Sequence, residues 1–158
     1  MRIPAGAVLL LLACGGRALA QVPNPQPVLD PSIETVLSGC YWQAKGADSD
    51  GVVRVIVRSG GVEHLISDLW VDWIATARTS EDSASIVASM TFPNLNNTYS
   101  AFSNVRLRQQ APGRCLLTLD VTDTHRDVFP TDRWTIVLAG PGQGRVAGKV
   151  RIKAAKGT

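Results

Sequence analysis

The sequence predicts a mainly β domain, an antiparallel β-sandwich of about seven to eight short strands. Three observations carry that expectation. Several segments alternate apolar and polar residues with a period of two, clusters of Gly, Pro and Asn punctuate them, and 45% apolar against 18% charged residues suffices to bury a core. No internal repeat and no second shift in composition is visible, so residues 33–158 are expected to form a single domain.

The elements follow in order. Val53, Val55 and Val57 alternate with Arg54, Ile56 and Arg58, which reads as a half-buried strand with cations on its outer face. Residues 62–78 are ambiguous. Val62, Leu65, Ile66, Leu69, Trp70, Trp73, Ile74 and Ala77 fall on the i, i+3, i+4 series of an amphipathic helix, which would make the fold α+β. Yet Leu69, Val71, Trp73 and Ala75 also alternate, and the segment is rich in β-branched and aromatic residues, so a strand is the favoured reading. Residues 78–83 then form a polar loop into a strand over residues 85–92, which ends at Pro93.

Val105 and Leu107 alternate with Arg106 and Arg108, and Cys115, Leu117, Leu119 and Val121 share one face of the next strand. The intervening Ala111-Pro112-Gly113 makes these two a hairpin. Trp134, Ile136 and Leu138 begin a second pair, turned by Pro141-Gly142-Gln143-Gly144. In its last strand Val146, Gly148, Val150 and Ile152 are expected to face inward, with Arg145, Lys149, Arg151 and Lys153 outward. An immunoglobulin domain would set a Trp about a dozen residues after the first Cys and a Tyr two before the second. Here Trp42 follows Cys40 too closely and Gly113 stands before Cys115, so the architecture is kept without that family.

The first twenty residues read as an export signal. Met1 and Arg2 give a positive start, an apolar run follows, and Ala18-Leu19-Ala20 supplies the small-x-small pattern of a cleavage site before Gln21. Within that segment, Leu11-Leu12-Ala13-Cys14 resembles the lipobox of bacterial lipoproteins. That resemblance implies an alternative in which an acylated Cys14 anchors the chain to an envelope membrane. Residues 21–32, with Pro23, Pro25, Pro27 and Pro31, favour an extended spacer.

Cleavage after Ala20 changes the arithmetic. Arg2 and Arg17 leave, so 16 basic residues become 14 against 13 acidic ones and the charge falls from +3 to +1. The strongly basic reading of the chain thereby disappears, and nucleic acid is not an expected partner. Cys14 is removed or acylated, which leaves Cys40 and Cys115 as a pair expected to form a disulfide in an oxidising compartment. Neither is then available as a nucleophile.

The chemistry-bearing groups are sparse. Asp120, Asp123, His125 and Asp127, with Asp132 nearby, could hold a divalent cation or serve acid-base catalysis in a small metal-assisted hydrolase. Their spacing matches no named motif, and Arg126 and Arg133 can neutralise them in an exposed turn. Asp48-Ser49-Asp50-Gly51 is only a fragment of a calcium loop, and its simpler reading is a turn. His64 lies close to Ser67 and Asp68 without any nucleophile-elbow motif to support a triad. No cofactor is expected.

Lys149, Arg151 and Lys153 form the clearest one-sided stripe, a candidate binding face for an anionic glycan, a lipid headgroup or an acidic protein. Three or more of Trp42, Trp70, Trp73 and Trp134 are expected in the core; exposed ones would suit a glycan-binding module. The chain therefore reads as a secreted or periplasmic, non-enzymatic binding or assembly accessory. Its expected partner is a protein, a glycan or an anionic component of the envelope.

Overall fold

A computed structural model describes residues 30–43, 50–76, 83–96 and 98–152. The expected export signal over residues 1–20, residues 21–29 of the expected spacer, Asp48 and Ser49, residues 77–82 and Lys153 lie outside them. Eight strands run in order: β1 (Ile33–Gln43), β2 (Asp50–Gly60), β3 (Ile66–Ala75), β4 (Ser85–Thr91), β5 (Ser100–Ala111), β6 (Arg114–Asp123), β7 (Thr131–Leu138) and β8 (Gly144–Ile152). Every pairing is antiparallel, and two meanders result, one sheet ordered β1-β2-β3-β4 and the other β5-β6-β7-β8. The described part is therefore a mainly β, sandwich-like fold without helix.

Alternation decides which faces meet. Val53, Val55 and Val57 from β2, Leu69, Val71 and Trp73 from β3, and Cys115, Leu117 and Leu119 from β6 are buried together with Ile136 and Leu138 of β7. Burying such side chains contributes about 25 cal/mol per Å² of apolar surface removed from water. The helical alternative over 62–78 does not occur. β2 and β3 stay in register from Gly60–Ile66 to Gly51–Ala75, and the period-two residues fill the core, whereas Val62 and Leu65 of the helical series are exposed. Tertiary burial rewards the alternating set, and the ladder satisfies the backbone of both strands.

Of the four tryptophans, only Trp42 and Trp73 are fully buried; Trp70 and Trp134 are half-buried, fewer in the core than the composition suggests. Trp70 sits on the outer face of its sheet, with the Arg58 guanidinium 5.3 Å from its ring centre.

One end of the sandwich is cross-linked. A disulfide joins Cys40 of β1 to Cys115 at the start of β6, as the pairing of the remaining cysteines predicts. Its Cα–Cα distance is 5.9 Å. A bulge between Gly39 and Tyr41, with Cys40 at φ 62°, gives β1 the local turn at that position. The Gln109 side chain on β5 continues the seam: its carbonyl accepts from the Tyr41 N–H at 2.7 Å and its amide donates to the Tyr41 carbonyl at 3.1 Å. The Trp73 indole N–H donates across the sheets to the Ala139 carbonyl at 3.0 Å. An added Cβ at Gly144 would lie 2.7 Å from the Met90 sulfur, so that the Met90 side chain would have to shift.

The crossing from β4 to β5 is anchored differently. β4 pairs with β3 only from Trp70 onward, so Leu69 needs other partners. The buried Asn96 amide supplies both, accepting from the Leu69 N–H at 2.9 Å and donating to the Leu69 carbonyl at 3.0 Å. A side chain thus stands in for the missing strand and pairs both backbone groups of Leu69.

Candidate functional site

The opposite end of the sandwich is open, and its lining begins with a register shift. β7 and β8 pair as Ile136–Val146 and then as Thr135–Gly148, so Ala147 is an extra residue. A one-residue shift turns every later side chain to the other face. Lys149 therefore pairs with Trp134, which pairs with Leu119, and Arg151 pairs with Asp132, which pairs with Val121. Lys149 and Arg151 thus lie on the core-facing side of the sheet. This corrects the outward stripe read from the sequence, and Val150, expected to face inward, is 69% exposed. Local alternation cannot register a bulge that only the pairing with β7 creates.

Asp132 is the centre of the resulting cluster. It is buried, and its carboxylate receives Arg151 Nε at 2.5 Å and Lys149 Nζ at 3.1 Å. Burial favours the neutral acid, but the hydrogen bonds from Lys149 and Arg151 outweigh it and hold Asp132 below the usual carboxylate value of 3.8. The Lys149 ammonium also lies 4.8 Å from the Trp134 ring centre. The indole N–H of Trp134 is itself buried without a hydrogen-bond partner.

Loops complete the walls. The Thr124 N–H donates to the Tyr99 carbonyl at 2.8 Å and its hydroxyl to the Leu65 carbonyl at 2.9 Å, fastening the β6–β7 loop to both neighbouring loops. The two histidines of the chain meet there, with ring centres 5.0 Å apart, and His64 Nδ1 lies 3.2 Å from the Thr124 carbonyl. Tyr99 stacks on His125 at 4.9 Å with planes inclined by 23°, and meets His64 edge-on at 5.4 Å. Arg126 pairs with Asp123 at 2.8 Å. Tyr99, His125, Arg126, Trp134, Lys149 and Arg151 together border a cleft of about 490 Å³, with Asp123 and Asp132 among them.

The four candidate metal ligands are not brought together. Asp120 lies on the outer face of β6, buried in a bidentate fork from Arg133 at 2.7 and 3.0 Å and held by the Asn104 amide at 2.9 Å. The hydrogen bond from Arg133 lowers its pKa, with Asn104 adding to the effect against the cost of burial. Asp123 turns to Arg126 and to the His125 N–H, while Asp127 is exposed. Among the described residues no group of three or more His, Cys, Asp and Glu is placed to hold a metal ion. The Ser67 hydroxyl is likewise turned away from triad chemistry, for it accepts from the Phe102 N–H at 3.2 Å and lies 3.0 Å from the Ser59 hydroxyl. Of the calcium-loop fragment, Asp50 and Gly51 simply open β2.

Two further cations named from the sequence, Arg54 and Arg58, are also engaged. Arg54 holds Asp72 at 2.7 Å, and Arg58 holds Asp30. Hydrogen bonds from Ser32 and then Arg58 lower the Asp30 pKa. Tyr99 is a cleft residue that the sequence offers only as the end of a polar segment from Pro93, with nothing to single out its ring. A usable signal exists on β7, where Asp132 shares one face with Trp134, Ile136 and Leu138 and so puts a carboxylate in an inward series.

An acid titration should report these ion pairs. Asp30, Asp120 and Asp132 all have lowered pKa values when folded, so the stability they contribute is complete above about pH 5 and lost as pH falls through the folded values. Urea midpoints measured between neutral and acid pH are expected to decline below the ordinary value of 3.8, with a shallower decline in Asp120→Asn. An unchanged slope in that variant would contradict the Arg133 fork as a source of acid sensitivity.

Compared with protein-family models, curated proteins and solved structures, the chain matches none.

Proposed function

We propose that this protein is an exported, non-enzymatic binding module that holds its ligand in the cleft at the open end of the sandwich. One observation carries the reading. Asp132, Lys149 and Arg151 occupy inward positions that pack the core elsewhere on the same strands, and they border an open cleft. Asp132 is buried there while the Lys149 and Arg151 side chains remain 52% and 59% exposed to the cleft, and departures of that kind from core-packing rules gather at functional sites.

The cleft suits binding better than turnover. Its carboxylates are committed to ion pairs, Asp123 with Arg126 and Asp132 with Lys149 and Arg151. The nearby Thr98 hydroxyl is spent on the Leu95 carbonyl at 2.7 Å and on Ser100 at 3.0 Å. Glycan binding through Trp70 and Trp73 finds little support, since Trp73 is wholly buried. Export is supported by the charge, apolar run and small-x-small pattern of residues 1–20, and by the cross-sheet disulfide.

The Trp134 indole N–H signal in a ¹⁵N spectrum, identified by its loss in Trp134→Phe, is the reporter for this reading. Titration with oligosaccharides, peptides and anionic lipid vesicles is expected to shift it for one of these classes. Ligands that bind while leaving that signal in place overturn the cleft as the site. Sequencing of the exported protein is expected to begin at Gln21, whereas an acylated Cys14 would establish the lipid-anchored form.

A further inference from the structure

Resting on the reading of the cleft as a binding site, we infer that its ligand is an acidic glycan built from uronic acid residues, with one carboxylate on a pyranose ring. Charge selects the carboxylate. Asp132 is shared between Lys149 and Arg151, so one carboxylate faces two cations and a single positive charge is left over in the cluster. Neither cation is saturated by that contact, for a guanidinium carries about five N–H donors and an ammonium about three. The Arg126 charge is cancelled by Asp123, which lies 2.8 Å away. The site therefore accommodates one negative charge per recognition unit. A densely sulfated chain or a phosphate cluster would bring surplus negative charge against Asp123 and Asp132.

The same two aspartates choose between a sugar and an acidic peptide. An ionised carboxylate only accepts hydrogen bonds, so it repels Asp and Glu side chains but is satisfied by the hydroxyl donors of a sugar ring. Asn94 adds a polar edge to the same lining. Flat surface is present as well. Tyr99 is 50% exposed and lies nearly parallel to His125, offering a platform of the size of one pyranose ring. Trp134 supplies a second aromatic wall behind Lys149, with its indole N–H unpartnered. An aromatic plane, hydroxyl acceptors and one uncompensated cation within a single cleft are together the complement of a uronate.

The test uses the intact exported protein with tetrasaccharides of galacturonate, glucuronate, mannuronate and guluronate. Each is compared with its methyl ester, which keeps ring and hydroxyls but removes the charge. Calorimetry and the Trp134 indole signal are read together. At least one free acid is expected to bind and to shift the indole signal, with affinity falling about tenfold or more on esterification. A similar loss is expected in Arg151→Gln and in Tyr99→Ala, while circular dichroism and thermal melting show both variants folded. Should either variant be unfolded, Lys149→Gln takes its place.

Equal binding of acid and ester overturns the carboxylate while leaving the cleft as a binding site. A shift of the indole signal by acidic peptides alone overturns the glycan and leaves the cleft. Failure of all four uronates to bind overturns the inference. Uronate binding that leaves the Trp134 signal in place overturns both the inference and the cleft.

Discussion

Replacing Cys40 and Cys115 together by alanine is expected to lower the free energy of unfolding by about 4.5 kcal/mol, the chain-entropy value for a loop of this length. The bridge spans 75 positions of sequence and ties β1, the first strand of one sheet, to β6 inside the other. Without it, the unfolded chain gains the freedom that the cross-link denies it, and the folded state loses a covalent clamp between sheets. Typical domains are stable by about 5–15 kcal/mol in all, so a loss of this size brings the protein close to its unfolding threshold. Urea denaturation with and without reductant measures it. The wild-type midpoint should fall on reduction and that of the double variant should not move. Coincident oxidised and reduced midpoints would show that the bridge adds nothing.

Position along β6 sharpens the consequence. Cys115 stands at the start of that strand, and Val121 and Asp123, which border the cleft, stand at its end. The clamp and the cleft are therefore at opposite ends of one strand. Reduction should lower global stability first and leave ligand affinity per folded molecule nearly unchanged.

Trp73→Ala is the second large change. The side chain is wholly buried in the core, and its indole N–H reaches the Ala139 carbonyl, just beyond β7 of the other sheet, at 3.0 Å. Truncation removes the ring's burial and leaves a cavity, which for a core aromatic costs about 3–5 kcal/mol. It also strips a carbonyl of its partner. Trp73→Phe separates these contributions, because it keeps an aromatic ring and deletes the donor; about 1–2 kcal/mol is expected from that loss. Trp70→Ala, on the half-buried outer face of the same strand, should cost much less. Equal losses at Trp70 and Trp73 in thermal or urea unfolding would contradict the assignment of inner and outer faces.

Much of the fold was legible because its signals are local. Alternation placed β2, β5, β6 and β7, and Gly and Pro marked the turns at Gly113 and Gly142, both of which have positive φ. Residues 66–75 carried two periodicities at once, and only the partner strands β2 and β4 decided between them. The disulfide followed from counting thiols after removal of the signal segment. Its position between β1 and β6 followed from nothing local, because β1 has a weak alternation interrupted at Gly39.

The site was less legible, and Lys149 and Arg151 show why. The sequence named them as a binding face and gave them the wrong side of the strand. Asp120 and Asp132 looked like neighbours in one acidic cluster, but they occupy opposite faces of the same sheet. His64, Tyr99 and His125 lie far apart in the chain and meet only because three loops converge at one end.

By itself the sequence determined that this chain is an antiparallel β protein with a cysteine pair and a cationic final strand. Those properties depend on residue type and on a period of two, both of which are local. Tertiary structure alone decided that the final strand slips by one residue at Ala147, turning Lys149 and Arg151 inward beside Asp132 and Trp134. The reason is physical: a bulge belongs to the pairing of two strands and has no counterpart in the alternation of either one.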